Sequence, residues 1–439
     1  MSTSKQNKIT NAIAEARTLH KNGQLPQAMA AYKKILRTAP SQPDALHYLG
    51  LAFYQTGQPE AAVAHILRSL SVAPLYLDAM NNLANIYKET ERVAQAQALY
   101  TRVLAVAPNH VQALVNMAVV LRETKHTGDA LKFVQRALFI QPDHSIALHT
   151  LGNIYADIKQ WAQAELAFRR ALSLDPHNNV TTIRLAQVLH KSDRPAEAIE
   201  LLQALLITNP KDAMAQHLLA SYSHQDIPQR SSDSYIKQTF DSYSAYFDQA
   251  LAQLQYQVPE LICEQLIASA QQFAAPIDVL DIGCGTGLCA PYVKQLTRSL
   301  VGVDLSGKML AKAAQRQLYD ELHEAELSDY MQHCARQFHY VICADTLVYF
   351  GDLQQVFANV FQVLQPTGFF IFSVEQYRSS EATPAYLLQE NGRYCHQQRY
   401  LSAALQGAGF SIKLMQDIVP RLEGGQDVDG ALVVAQRPA

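Results

Sequence analysis

In the first half of the chain, apolar residues recur at i, i+3, i+4 and i+7 in paired stretches split by short polar breaks, the spacing of amphipathic helices. "ALHYLGLAFYQTG" (45–57) and "PEAAVAHILRSLSVAP" (59–74) are one such pair. Prolines stand at 40, 74, 108, 142, 176 and 210, and alanines at 28, 62, 96, 130, 164 and 198, each series with a period of 34 residues. A fixed period of this size predicts stacked two-helix units, because one pair cannot bury its apolar face alone. Proline cannot continue a helical hydrogen-bond ladder, so it closes the second helix of each unit. Gly50, Ala84, Ala118, Gly152 and Ala186 are small where the two helices must approach closely. A last helical stretch, "DAMAQHLLASYSHQ" (212–225), has no partner helix and is expected to cap the array.

The pattern then changes. "QDIPQRSSDS" (225–234) is polar and rich in breakers, and is expected to be a linker. An aromatic-rich helical stretch follows, to about residue 270. Beyond it, apolar strands such as "PIDVLDIG", "SLVGVDL", "HYVICAD" and "GFFIFSVE" alternate with helical segments. That alternation predicts a mostly parallel sheet covered on both faces. The last two strands, "FSIKLMQDIVP" and "GALVVAQR", are separated only by "RLEGGQDVD", so they should pair as an antiparallel hairpin.

Composition narrows the classes. No apolar stretch approaches the ~20 residues of a membrane span, and "MSTSKQNKIT" has no apolar signal segment. The six cysteines all lie in the second half without a C-x-x-C pair, which disfavours a zinc knuckle or disulfide framework. No metal is expected, and a cytoplasmic location is. The net charge of −3 divides unequally: 22 Lys+Arg against 17 Asp+Glu (+5) in residues 1–226, and 14 against 22 (−8) in 227–439. An acidic second half is a poor match to a phosphate backbone, so nucleic acid is not an expected partner.

The 34-residue unit resembles the tetratricopeptide repeat. Leu148, Leu151, Gly152, Tyr155, Ala164, Phe168, Ala171 and Pro176 carry its pattern, as do Leu46, Leu49, Gly50, Phe53 and Met80, Leu83, Ala84, Tyr87. The resemblance covers six units and implies a groove for a protein or peptide partner. Asn81, Asn82, Asn85, Asn116, Asn153 and Arg122 are polar first-helix residues that either line that groove or simply face solvent.

In the second half, "VLDIGCGTGLCA" (279–290) is a strand that breaks on Gly283, Gly285 and Gly287. Glycines are needed where backbone turns sharply and a ligand approaches it. A dinucleotide turn reads G-x-G-x-x-G, whereas here 288 is leucine, and no G-K-[ST] follows to make a phosphate loop. Asp304 ends the next strand, where a carboxylate can accept both ribose hydroxyls of an adenosine ligand. With the terminal hairpin, D-x-G-x-G-x-G resembles the class I S-adenosylmethionine-dependent methyltransferases. Together the resemblances imply an all-α tetratricopeptide solenoid followed by an α/β Rossmann-like class I methyltransferase domain with a terminal antiparallel hairpin. The expected boundaries are residues 7–225 for six repeats plus cap, 226–234 for the linker and 235–437 for the methyltransferase domain.

The resemblance implies S-adenosylmethionine as cofactor, held by Asp281, Gly283, Gly285, Gly287, Asp304, Leu305, Met309 and Glu326. Glu324 and Asp329 remain alternatives to Glu326 for the adenine amino group. Methyl transfer is an in-line displacement that depends mainly on positioning, and a base is needed only for a protonated acceptor. Asp345, Tyr349 and His396 are the candidate catalytic residues, with Glu375 beside them; Asp345 is alternatively a helix cap. "ADTLVY" stands where amino-group methyltransferases carry [DN]-P-P-[YF], and no Pro-Cys pair exists for cytosine chemistry. "YFDQAL" and "GRYCHQQRYL" resemble the aromatic lid and insertion of bacterial repeat–methyltransferase fusions. On that likeness Tyr243, Tyr246, Phe247, Arg393, Tyr394 and His396 shape the acceptor pocket. The acceptor, a small molecule or a protein side chain, stays open. Two other readings stand beside this one: a scaffold whose cofactor domain is non-catalytic, and an NAD-type oxidoreductase, disfavoured by Leu288 and the hairpin.

Overall fold

The computed structural model describes residues 3–270, 273, 276–378 and 384–439. The chain divides into two compact units, Met1–Asp193 and Arg194–Ala439. Among the described residues of the first unit lie α1 (Thr3–Lys21), α2 (Leu25–Thr38), α3 (Pro43–Gln55), α4 (Pro59–Val72), α5 (Leu77–Glu89) and α6 (Val93–Val106). α7 (Val111–Glu123), α8 (Thr127–Ile140), α9 (Ser145–Asp157), α10 (Trp161–Leu174) and α11 (Asn179–Lys191) complete it.

The 34-residue period is visible at every level. Second helices end at Thr38, Val72, Val106, Ile140 and Leu174, each two residues before a periodic proline. The periodic alanines are fully buried. A Cβ added at Gly152 would lie 2.5 Å from the Phe168 ring, and one at Gly50 would lie 2.6 Å from Ile66. These are the close approaches that the small residues permit. Phe168, wholly buried, contributes roughly 2–3 kcal/mol by apolar burial. Between the helices of each pair one residue takes a left-handed backbone: Gly23, Gly57, Glu91, Lys125, Lys159 and Asp193, again 34 apart. The polar first-helix residues bond to one another. Asn116 Nδ2 donates to Asn85 Oδ1 (2.8 Å) and Asn81 Oδ1 (3.3 Å), Asn82 pairs with His47 (2.9 Å), and Arg184 Nε donates to Asn153 Oδ1 (2.8 Å).

The second unit opens with α12 (Pro195–Thr208) and α13 (Ala213–Ser223). Residues 225–234 are tied to the domain that follows: Gly351 N–H donates to Gln229 O, and Ser231 N–H to Tyr349 O, both at 2.8 Å. Then come α14 (Asp233–Tyr243), α15 (Phe247–Gln253) and α16 (Val258–Ala270). The sheet contains β1 (Ile277–Ile282), β2 (Thr297–Asp304), β3 (Glu321–Glu324), β4 (Phe338–Cys343) and β5 (Leu364–Gln376). Between these strands lie α17 (Ala290–Val293), α18 (Gly307–Gln315), α19 (Leu327–His333) and α20 (Gln354–Val363). A short hairpin of β6 (Tyr386–Leu388) and β7 (Tyr394–His396), α21 (Gln398–Gly407), β8 (Ser411–Ile418), the small β9 (Leu422–Glu423) and β10 (Gln426–Asp427), and β11 (Gly430–Gln436) follow.

The strand order is β3-β2-β1-β4-β5-β11-β8. The five strands β1 to β5 pair in parallel, and β11 lies antiparallel between β5 and β8. The expected terminal hairpin is therefore present, with its second strand inserted inside the sheet. β1 is buried along its whole length. Leu280 and Ile282 belong to one core and Ile277 and Val279 to the other, as period-2 alternation in a sheet covered on both faces requires. Among the described residues no helix is long and apolar enough to cross a membrane.

Candidate active site

A pocket lies over the carboxyl ends of β1, β2 and β4, where open α/β sheets hold ligands. The empty space there, counted together with the open solvent at its mouth, is about 990 Å³. Its floor is the glycine turn. Gly283, Gly285 and Gly287 all have positive φ (70°, 54° and 81°), which only glycine adopts without strain. The three have different neighbours. A Cβ on Gly283 would lie 2.1 Å from Thr346 Oγ1, and one on Gly287 would lie 2.8 Å from the Tyr319 ring. At Gly285 nothing lies nearer than the Phe247 ring at 3.9 Å, so that position leaves room beside the pocket.

The turn is fixed by β2. Asp304 Oδ2 accepts from Gly285 N–H at 2.9 Å and Oδ1 from Ser306 N–H at 2.8 Å, while burial raises its pKa. Asp281 is 1 % exposed; Oδ2 accepts from Tyr319 O–H at 2.6 Å, and Oδ1 is buried without a partner among the described residues. Burial pushes its pKa up to about 7, opposed by the Tyr319 bond and helped by Asp304. Glu326 caps α19, with Oε2 accepting from Ser328 N–H (2.8 Å) and Asp329 N–H (3.0 Å), and it lines the pocket. Glu324 instead pairs with Lys237, half exposed.

The roof comes from α14 and α15: Ile236, Phe240, Phe247 and Leu251 line the pocket, with Tyr256 just beyond. α15 is tied down by Asp248, which accepts from Thr286 Oγ1 (2.5 Å) and pairs with Arg316. At the far end stand Asp345, Tyr349 and Arg393. Asp345 has a left-handed backbone (φ 54°), a strained state for a non-glycine residue and one that clusters at functional sites. Its Oδ2 accepts from Arg421 Nη1 at 2.9 Å, and its Oδ1 is buried without a partner among the described residues. Arg421, 1 % exposed, also binds Glu375, whose Oε1 lies 3.1 Å from Arg393 Nη1. Two buried carboxylates are thus interleaved with two guanidinium groups. Burial pushes both carboxyl pKa values up, and Arg393 pulls them back.

The pocket therefore brings together Asp281, Gly283, Gly285, Asp304, Leu305, Glu326, Asp345 and Tyr349. Gly287 sits behind the turn against Tyr319, and Met309 is buried in α18. His396 is wholly buried, with Nε2 at 3.1 Å from Gly351 O, and burial lowers its pKa to about 4. Of the expected lid residues, Phe247 and Arg393 line the pocket; Tyr243 is about half exposed, and Tyr394 O–H donates to Pro228 O. Cys284 and Cys289 line it too, but burial raises both thiols well above their ordinary range, leaving them small apolar residues. Sequence reasoning missed Thr346 and Arg421. Arg421 lies 76 residues from its partner Asp345, in a connection with no motif of its own.

Residues 279–368 match the family model described as a methyltransferase domain. Residues 16–57, 75–143 and 155–222 match models of the tetratricopeptide repeat. Over 141 residues the chain is 26 % identical to the biotin biosynthesis bifunctional protein BioHC of Saccharophagus degradans, covering 31 % of this chain and 24 % of that protein. Over 102 residues it is 34 % identical to a ubiquinone biosynthesis O-methyltransferase of Thiobacillus denitrificans, covering 22 % of this chain and 43 % of that one. The chain spans less than half the length of either relative. Solved structures with some likeness include pilF of Pseudomonas aeruginosa (15 % identity, 50 % of this chain and 99 % of that chain, TM-score 0.45). Another is the magnesium protoporphyrin IX methyltransferase of Synechocystis PCC 6803 with bound SAM (18 % identity, 45 % and 83 %, TM-score 0.33). On its family matches and its strand order, the chain carries tetratricopeptide repeats followed by a methyltransferase domain of the class I, S-adenosylmethionine-dependent type.

Proposed function

We propose that residues 235–437 transfer a methyl group from S-adenosylmethionine to a small-molecule or protein acceptor, and that the repeats of residues 7–225 recruit the acceptor or a partner. One observation carries this reading. The pocket over the glycine turn is lined by Asp281, whose Oδ1 is buried and, among the described residues, has nothing to accept from. A buried acceptor without a donor is costly, and a ligand ammonium in this pocket relieves that cost. The residues fit the rest of the cofactor. Asp304 has lone pairs left for ribose hydroxyls, Gly285 leaves space for ligand atoms against its backbone, and Leu305 and Glu326 border the adenine end.

When bound, S-adenosylmethionine supplies a sulfonium methyl that an acceptor lone pair displaces, leaving a neutral thioether. The chain's own part is to position and to exclude water. The roof of Phe240, Phe247, Leu251 and Tyr256 keeps the pocket apolar. Asp345 Oδ1, unpartnered and raised in pKa by burial, accepts the proton of an acceptor O–H or N–H. Tyr349 stands beside it as the second candidate, whereas His396 does not line the pocket and turns its Nε2 to Gly351 O.

The test uses the full chain, wild type and Asp304→Ala, with methyl-tritiated S-adenosylmethionine and a host-cell extract. Label entering a product with the wild type and not with the variant supports the reading. Calorimetric cofactor binding without labelled product would favour the scaffold alternative, and no binding by the wild type would sink both.

A further inference from the structure

The turn between β6 and β7 carries Arg393 to the acceptor end of the pocket, and that turn is held from behind by α13. His217, 4 % exposed, places Nε2 2.8 Å from Gly392 O, and Ser221 Oγ donates to Gln389 O at 2.7 Å. The His217 ring stacks on Tyr235 at a centroid distance of 3.8 Å, and Tyr235 closes the other side of Gly392. Gly392 has φ 81°, and a Cβ there would lie 2.8 Å from Tyr235 O–H and 3.2 Å from His217 Nε2. Only glycine fits between those two rings. On its far side the same turn meets the buried acids: Gln389 Nε2 lies 3.3 Å from Glu375 Oε2, and Arg393 Nη1 lies 3.1 Å from Glu375 Oε1.

We infer that α13, the last helix of the stretch that matches the tetratricopeptide repeat, is also a structural part of the methyl-transfer site, and that His217 and Ser221 are positioning residues for Arg393. The inference rests on the proposed function for what Arg393 faces. The placement itself rests on two side-chain bonds to backbone carbonyls of one five-residue turn. Among the described residues no backbone donor outside the turn bonds to those carbonyls, so the two α13 side chains hold it from this side. Arg393 is the one side chain of that turn that lines the pocket. A turn released from α13 lets its guanidinium leave Glu375 and Asp345 for solvent, because the arginine side chain is already a quarter exposed.

The test measures where Arg393 is, with no need to know the acceptor. Full-length wild type, His217→Ala, Ser221→Ala and His217→Gln are treated with the arginine reagent phenylglyoxal, and modification is located by mass spectrometry. Arg298 serves as an internal reference. Arg393 should react several-fold faster in His217→Ala and Ser221→Ala, with Arg298 unchanged. Glutamine can still donate to Gly392 O, so His217→Gln should react within about twofold of wild type. Equal Arg393 rates in wild type and His217→Ala overturn the inference. A parallel rise at Arg298, or a failure of glutamine to rescue, also overturns it, since either signals general loosening. Calorimetry with S-adenosylmethionine on the same samples separates the two ideas. Wild type that binds no cofactor sinks the functional reading and leaves the Arg393 result to decide the positioning.

Discussion

Replacing Asp281 with asparagine keeps the shape of the side chain and an acceptor for Tyr319, and removes the ability to ionise. In the wild type, burial lifts this carboxyl from 3.8 to about 7. A folded-state pKa above the unfolded value means that folding favours the protonated acid. Its stabilising contribution is therefore complete below about pH 4 and is lost as the pH rises through 7. At 1.36 kcal/mol per pH unit the full window amounts to about 4 kcal/mol, of which about 2–3 kcal/mol falls between pH 5 and 8. Asp304, Asp345 and Glu375 are also raised by burial, so the informative quantity is wild type minus variant. Tryptophan fluorescence does not serve, because the only tryptophan, Trp161, sits in α10 of the first unit. Native-state hydrogen exchange over the β1 peptide 277–282, read by mass spectrometry in urea, reports on the second unit directly. Cofactor-free wild type should lose about 2–3 kcal/mol relative to Asp281→Asn from pH 5 to 8. Saturating S-adenosylmethionine should shrink that loss, since a bound ammonium favours the ionised carboxylate. Parallel pH profiles for the two proteins would refute both the burial argument and the role of the unpartnered oxygen.

The glycines of the turn should separate by role. Gly283→Ala puts a methyl 2.1 Å from Thr346 Oγ1 at positive φ and should cost roughly 2–4 kcal/mol of stability by hydrogen exchange. Gly285→Ala meets no protein atom nearer than 3.9 Å and should cost only about 1 kcal/mol, yet weaken calorimetric cofactor binding tenfold or more. Asp345→Asn should leave cofactor affinity within about threefold and lower label transfer about 100-fold; lost affinity instead would assign Asp345 to the cofactor. In the repeats, Gly152→Ala forces a methyl against Phe168 and should cost roughly 1–3 kcal/mol, read as a lower Trp161 fluorescence midpoint.

The repeats were legible because their constraint is local and periodic. Proline at 34-residue intervals and alanine twelve residues before it recur whatever the rest of the chain does, and the helices end where those prolines require. The left-handed residue between paired helices has the same period and was not legible, since four of its six positions hold glutamate, lysine or aspartate instead of glycine. The glycine turn and Asp304 were legible for a related reason: they lie 17 to 21 residues apart across one strand–turn–strand unit, so their meeting is fixed by connectivity. The Asp345 end of the pocket is built differently. Asp345 follows β4, Glu375 stands in β5, Arg393 lies in the β6–β7 turn and Arg421 follows β8, so they meet only through the tertiary fold. Their charges also cancel in pairs, leaving no excess for composition to register. That balance constrains the chemistry. On the proposed function, with both guanidinium groups already facing carboxylates, an anionic acceptor group would find no spare positive charge there, while an acceptor bearing a proton would find Asp345 Oδ1, unpartnered among the described residues. On the proposed function, the buried quartet would favour a neutral or cationic O–H or N–H acceptor over a carboxylate, for the same electrostatic reason that its members could not be found by reading along the chain.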